Sequence, residues 1–196
     1  MAGKIAIEEH FVSKEATSYL PPLGVAPTVQ KRIDDGLRDV EQHRLPEMDR
    51  HGIDIQIVSL TADGVQLEPD RDKAVRIAKL ANDELAERFL ARYPTRFAGL
   101  AAVPLQDPKA AADELQRAIE QLGFKGALAN GFSNVGDLDT GEYYDLPKFW
   151  PFWERVQELD VPFYLHPRGP LDSQQKIYEG HPELLGPAWA FGVHLA

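Results

Sequence analysis

Five short apolar runs recur along the chain, near residues 4–11, 53–60, 97–103, 124–132 and 161–166, and each leads through a loop into a helical pattern. This alternation constrains the fold more than any other feature. Strands joined through a helix run parallel, with right-handed crossovers. Two architectures satisfy that rule, a (β/α)8 barrel and an open doubly wound sheet. Both place function at the C-terminal ends of the strands. No glycine-rich phosphate loop follows the first strand, which disfavours a nucleotide-binding open sheet.

The helices carry their own start and stop signals. Asp70 is an N-cap for a helix whose Ala74, Ile77, Ala78, Ala81, Leu85 and Phe89 form one apolar stripe, and Pro94 stops it. Asp107 followed by Pro108 opens a second helix, which runs to about Leu122 and closes at Gly123. A helix is expected over about Asp34–His51, interrupted near Pro46 and ended by Gly52. Pro147 opens another, whose Phe149, Trp150, Phe152, Trp153 and Val156 recur at the spacing of helix packing rather than of a cofactor box. From Gly126 to Ala129 both faces of the fourth strand are apolar, as in a strand covered on both sides. Long loops are expected over residues 12–33, 133–146 and 169–181, a shorter loop over 61–69, and an apolar helical segment over 184–196.

The residues that carry chemistry gather at strand ends. The first strand, Lys4-Ile5-Ala6-Ile7-Glu8-Glu9-His10-Phe11, closes on three ionisable groups. Side chains alternate along a strand, so Glu8 and His10 share a face and Glu9 points the other way. A carboxylate and an imidazole on one face are half of a divalent metal site, although the same residues also suit an ordinary charged strand end. The fifth strand, Val161–His166, ends on a histidine too. In a closed eight-stranded barrel the first and fifth strands face each other across the mouth. Glu8, His10 and His166 can then converge on one ion, and this donor set suits zinc, manganese or iron(II). His43 and His51 sit on a helix and at its end, His181 in a loop and His194 in the last apolar segment, and none is a candidate for catalysis.

Composition narrows the function classes. The chain of 196 residues is 43% hydrophobic and 27% charged, an ordinary globular profile read as one domain over 1–196. A net charge of −10 argues against nucleic acid or an acidic membrane surface as partner. The absence of cysteine leaves no disulfide and no thiolate ligand, and it fits the cytoplasm. Met1-Ala2-Gly3-Lys4 runs straight into the first strand and no long apolar span follows, so a protein neither secreted nor membrane-spanning is expected.

The first-strand sequence, together with Gly126-Ala127-Leu128-Ala129-Asn130-Gly131-Phe132, Tyr143-Tyr144-Asp145-Leu146-Pro147, Val161-Pro162-Phe163-Tyr164-Leu165-His166-Pro167-Arg168 and Gly186-Pro187-Ala188-Trp189-Ala190-Phe191, resembles the metal-dependent decarboxylases of the amidohydrolase superfamily. The resemblance implies a (β/α)8 TIM-type barrel, of which this chain would hold about the first five β/α units. It implies one divalent ion, Zn2+ or Mn2+, with Glu8, His10 and His166 as three of its ligands. It implies a carboxy-lyase reaction, the nonoxidative decarboxylation of a hydroxybenzoate such as 2,6-dihydroxybenzoate. A histidine at the position of His10 favours the branch acting on that substrate, since relatives acting on 2,3-dihydroxybenzoate or salicylate often lack it.

The family's fourth ligand is an aspartate late in the chain, and its catalytic histidine lies in a His-x-Gly-Glu stretch. This sequence has neither, so it offers no catalytic residue of its own. Five strands cannot close an eight-stranded barrel, which takes about 250 residues. The chain is therefore expected to be the N-terminal part of such an enzyme, and alone it would leave strand edges uncovered. For the substrate, Asn130 is a candidate polar contact. Arg168 either faces a carboxylate or pairs with a structural acid, and Trp189 and Phe191 either wall an aromatic pocket or pack in the core. The fourth strand has no lysine at its C-terminal end, Lys125 being near its start, which favours one metal over two. The implied partners are a small aromatic carboxylic acid and further copies of the chain, as a dimer or tetramer. Two other readings stand beside this one. The first is a hydrolase of the same superfamily, with water activated on an ester, lactone or amide, and the second is an inactive truncated fragment.

Overall fold

The computed structural model describes residues 3–14, 26–176 and 180–181. Five parallel strands form one sheet in the order β1 (Lys4–Phe11), β2 (Ile53–Leu60), β3 (Phe97–Ala102), β4 (Gly126–Asn130) and β5 (Phe163–His166). Neighbours in sequence are neighbours in space, as successive right-handed crossovers require. The sheet curls. Tyr164 on one edge strand donates its hydroxyl to Glu8 on the other, Oη to Oε1 2.6 Å. The ring of His10 meets the ring of His166 at 5.1 Å between centroids. Strands at opposite edges of a flat sheet of this width would lie about 19 Å apart, so these contacts define half of a barrel.

The helices pack on the convex side. After β1 come α1 (Pro27–Arg38) and α2 (Arg44–His51), after β2 α3 (Arg71–Leu85), after β3 α4 (Pro108–Leu122), and after β4 α5 (Trp150–Glu158). Capping follows the sequence signals. Asp70 accepts the amide of Lys73 at 2.8 Å, Asp107 that of Ala110 at 3.0 Å, and Gly123 ends α4 at φ +78°. The α3 stripe Ala74, Ile77, Ala78, Ala81 and Leu85 is buried against Phe11, Val58, Phe89 and Phe97. A second cluster, with Leu105, Leu115, Ala127, Phe149 and Phe152, fills the space between β4, α4 and α5. Burying each of these large apolar side chains contributes about 1.5–3 kcal/mol. Between the clusters, buried Asn82 of α3 acts as a false strand. Its amide accepts from the N–H of Ala102 (2.8 Å) and donates to the carbonyl of Ala102 (2.9 Å) and to Glu114 of α4 (2.7 Å). The concave side and the sheet edges lack such cover, and Ile5 and Ile7 of β1 are 61% and 60% exposed.

Three expectations about the elements need correction. The helix expected from Asp34 begins at Pro27, which sits in its first turn. The break expected near Pro46 falls at residues 39–43, because Asp39 gathers the amides of Gln42, His43 and Arg44 and starts α2 there. Pro46 lies in the first turn of α2, where its missing N–H has no intrahelical partner to lose. The loops also hold more structure than expected. Residues 133–146 contain a two-rung hairpin, Ser133–Asn134 with Gly141–Glu142, and residues 169–181 contain the short helix α6 (Asp172–Gln175). The helical segment expected over 184–196 lies outside the described residues.

Candidate metal centre

Every candidate ligand sits at or near the C-terminal end of an edge strand, the face on which parallel β/α folds carry their chemistry. On β1 the strict alternation is interrupted. The register passes from Ala6 opposite Gln56 to Glu9 opposite Val58, so three residues span what two span on β2. This bulge puts Glu8 at φ +59°, a conformation that costs a residue with a Cβ about 1–2 kcal/mol. The bulge falls at Ile7 and Glu8 and so includes the first of the two candidate ligands. Glu8 and His10 both turn to the concave side, toward Tyr164 and His166, while Glu9 turns to the helices and meets Arg44 at 3.5 Å.

The two imidazoles are each held by Nδ1. His10 Nδ1 lies 3.0 Å from Ser59 Oγ, its partner in the β1–β2 register. His166 Nδ1 lies 3.1 Å from Asn130 Oδ1, its partner in the β4–β5 register. Among the described residues no hydrogen bond engages Nε2 of either ring. Burial, followed by the charge His166 would carry, pushes His10 down to about 4, and Glu8 opposes this only in part. His10 is therefore a neutral imidazole at physiological pH, the form that donates a lone pair to a metal. The hydrogen bond to Glu8, then burial, raises the Tyr164 phenol above its ordinary value and keeps it a donor.

Among the described residues no group of three His, Cys, Asp or Glu side chains is gathered closely enough to hold an ion. The imidazoles meet, but the Glu8 carboxylate is turned to Tyr164. The donor chemistry nonetheless fits a divalent ion. Two nitrogen donors with their second nitrogens anchored, and one carboxylate on the same face, are what zinc and manganese sites use. The larger grooves lie elsewhere. One of about 600 Å3 is lined by Leu90, Pro94, Phe97 and Lys125 at the N-terminal end of β3, opposite the histidines. Another of about 560 Å3, lined by Tyr143, Tyr144, Trp153, Phe163 and Leu165, flanks the outer edge of β5.

The remaining candidates fare differently. Asn130 is 1% exposed, and its Oδ1 faces His166 Nδ1. Arg168 is 5% exposed and belongs to the framework. Its Nη1 donates to the carbonyls of Phe132 (2.8 Å) and Gln66 (3.4 Å), its Nη2 donates to Asn134 Oδ1 (2.9 Å), and the guanidinium lies 4.1 Å from the Phe132 ring. These contacts tie the loops after β2 and β4 together. The acid Asp63 also acts on the guanidinium through its charge, in keeping with the structural-acid alternative. Trp189 and Phe191 lie outside the described residues. Tyr164 and Ser59 join the site without having been candidates from the sequence. Tyr164 precedes His166 by two and shares its face, a signal that period-2 alternation offered. Ser59 could be found only from the β1–β2 register.

A family model described as "Amidohydrolase" matches residues 10–188. The chain belongs to the amidohydrolase family. It is 53% identical over 197 residues to the gamma-resorcylate decarboxylase of Rhizobium radiobacter, covering 100% of this chain and 59% of that one. Its structure is similar to that of a 2,6-dihydroxybenzoate decarboxylase complexed with 2,6-dihydroxybenzoate, with TM-score 0.90, 52% identity, and coverage of 99% of this chain and 60% of the other. It is also similar to a dihydroxybenzoic acid decarboxylase from Polaromonas sp. with bound manganese and the inhibitor 2-nitroresorcinol (TM-score 0.87, 48% identity, 99% and 59% covered). The chain thus spans about 60% of the length of these relatives, and its sheet is five parallel strands of an amidohydrolase-type barrel. No helix among the described residues is long and apolar enough to cross a membrane.

Proposed function

We propose that the full-length protein is a divalent-metal-dependent, nonoxidative decarboxylase that converts a hydroxybenzoate such as 2,6-dihydroxybenzoate to a phenol and CO2. The observation that carries this reading is the pair of facing imidazoles, His10 and His166, anchored by Nδ1 at the mouth of a half-barrel. Its likeness to gamma-resorcylate decarboxylases supports the choice of substrate class.

His10, His166 and Glu8 would hold one ion, manganese or zinc. When bound, the ion supplies fixed positive charge that orients a carboxylate and an ortho-hydroxyl and offsets charge developing on them. The chain's own residues prepare that place. Ser59 and Asn130 fix the two rings in orientation, and Tyr164 steers the Glu8 carboxylate. His10 is neutral, and as a metal ligand it would take no part in proton transfer. The reaction needs one proton delivered to the ring carbon that bears the carboxylate, after which the C–C bond breaks and its electron pair returns to the ring. By family resemblance that proton comes from an aspartate with no counterpart in this sequence. We further place the protein in the cytoplasm as a homo-oligomer, a dimer or tetramer, built on residues 1–196 as one folding unit with the rest of the barrel.

The test is CO2 release from 2,6-dihydroxybenzoate by the metal-loaded full-length protein, run beside hydrolysis of a panel of lactones. CO2 release that stops with a chelator and returns with Mn2+ is the expected result. Lactone hydrolysis without CO2 release refutes the decarboxylase and leaves a metal-dependent hydrolase.

A further inference from the structure

Asn130 sits at the end of β4 with every polar atom of its side chain engaged. Its Nδ2 donates to the carbonyl of Asp63 at 3.0 Å and to Gln66 Oε1 at 3.1 Å, and its Oδ1 lies 3.1 Å from His166 Nδ1. The orientation of this amide follows from chemistry. A backbone carbonyl can only accept, so the nitrogen must face Asp63, and the oxygen must then face His166. Gln66 gives an independent check. Its own Nε2 is committed to the carbonyl of Val103 at 2.8 Å, so its oxygen is what faces Asn130. An amide oxygen only accepts, so the proton between Asn130 and His166 belongs to the imidazole.

We infer that Asn130 is a positioning residue that holds His166 as the Nδ1–H tautomer and so reserves Nε2, unprotonated, for a divalent ion. The part concerning the ion rests on the reading of His166 as a ligand, whereas the tautomer does not. Neutral histidine in water favours the proton on Nε2, the wrong nitrogen for this site, so the choice has to be imposed. His10 has no equivalent device, because the Ser59 hydroxyl that holds it both donates and accepts. The main chain of Asn130 is committed as well. Its carbonyl accepts the Tyr144 hydroxyl at 2.7 Å and its N–H lies 3.3 Å from Gln66 Oε1. Asn130 is thus held through both its side chain and its main chain.

The experiment is a long-range 1H–15N correlation spectrum of the full-length protein labelled at histidine, without metal, with His166 assigned by its loss in His166→Gln. The expected spectrum has a pyrrole-type Nδ1 and a pyridine-type Nε2 for His166. Asn130→Leu, which removes the acceptor at similar volume, should move the proton to Nε2 and weaken Mn2+ binding about 10–100-fold, the usual effect of losing an outer partner of a metal ligand. Asn130→Asp keeps an acceptor beside Nδ1 and should keep the tautomer. A wild-type spectrum with the proton on Nε2 overturns the inference whether or not any variant folds. An Asn130→Leu protein with unchanged tautomer and unchanged Mn2+ affinity also overturns it. If instead His166→Gln binds Mn2+ as tightly as wild type, the ligand reading fails, and the tautomer result stands by itself.

Discussion

Gly126 opens β4 where β5 approaches most closely, and replacing it with alanine perturbs the half-barrel at a defined point. A Cβ built there would lie 2.3 Å from the carbonyl oxygen of Pro162, 3.0 Å from Pro162 Cγ and 3.2 Å from Leu100 Cδ2. Even a close C–H···O contact needs about 3.3 Å, so the backbone just before β5 must retreat by about 1 Å. That carbonyl accepts the N–H of Ala127 at 3.1 Å. Retreat stretches the bond to about 4 Å, beyond any useful hydrogen bond. Overpacking at about 1–3 kcal/mol and one lost bond at about 1 kcal/mol give a cost of roughly 2–4 kcal/mol. For a unit of this size that would lower Tm by about 4–16 °C, and for the longer full-length protein used in the assay by about 2–10 °C. Gly36, in α1, provides the control. A Cβ there meets nothing within 4 Å, and relief of glycine's backbone entropy should stabilise the helix by about 0.5–1 kcal/mol. The assay is thermal unfolding of the full-length Gly126→Ala and Gly36→Ala proteins beside wild type. If Gly126→Ala melts within about 2 °C of wild type, the contact at Pro162 is not a steric limit and the reasoning is wrong.

Two further predictions concern other contacts. Tyr164→Phe removes the 2.6 Å hydrogen bond to Glu8 and should weaken Mn2+ binding by about tenfold, measured by calorimetry, while leaving Tm nearly unchanged because the pair is exposed. Partial burial works to raise the Asp39 carboxyl, but the backbone amides of Arg44, His43 and Gln42 outweigh it and hold Asp39 below its ordinary 3.8. A depressed value means that the stabilisation is full above pH 3.8 and is lost as pH falls through the folded-state value. Asp39→Ala should therefore cost about 1 kcal/mol at neutral pH. In urea unfolding followed across pH, the gap to wild type should close in acid, and a gap that persists there would show that the carboxylate's charge is not what matters.

The β/α alternation, the caps at Asp70 and Asp107, and the buried stripe of α3 were all legible in the sequence, because each depends on residues within a few positions of one another. The candidate ligands were legible for a related reason: period-2 alternation and a histidine at two strand ends need only local counting. Where local counting misled, a distant group had intervened. The break before α2 went to Asp39 rather than Pro46, since a carboxylate collecting three amides outweighs a proline placed where no intrahelical N–H is needed. The β1 bulge, set by pairing with β2, could not be counted from β1 alone.

The sequence by itself determined that the chain folds as successive parallel β/α units and that Glu8, His10 and His166 stand at strand ends, because the hydrophobic period and the strand repeat are properties of the chain. Only the tertiary structure decided what those residues touch. The curl of the sheet carried Tyr164 to Glu8 and the ring of His166 to that of His10. It also set Asn130 behind His166 and Arg168 between the loops after β2 and β4. The physical reason is that a hydrogen bond joins groups brought together by closure of the backbone, across 156 positions in the case of Tyr164 and Glu8, and no local pattern records that distance.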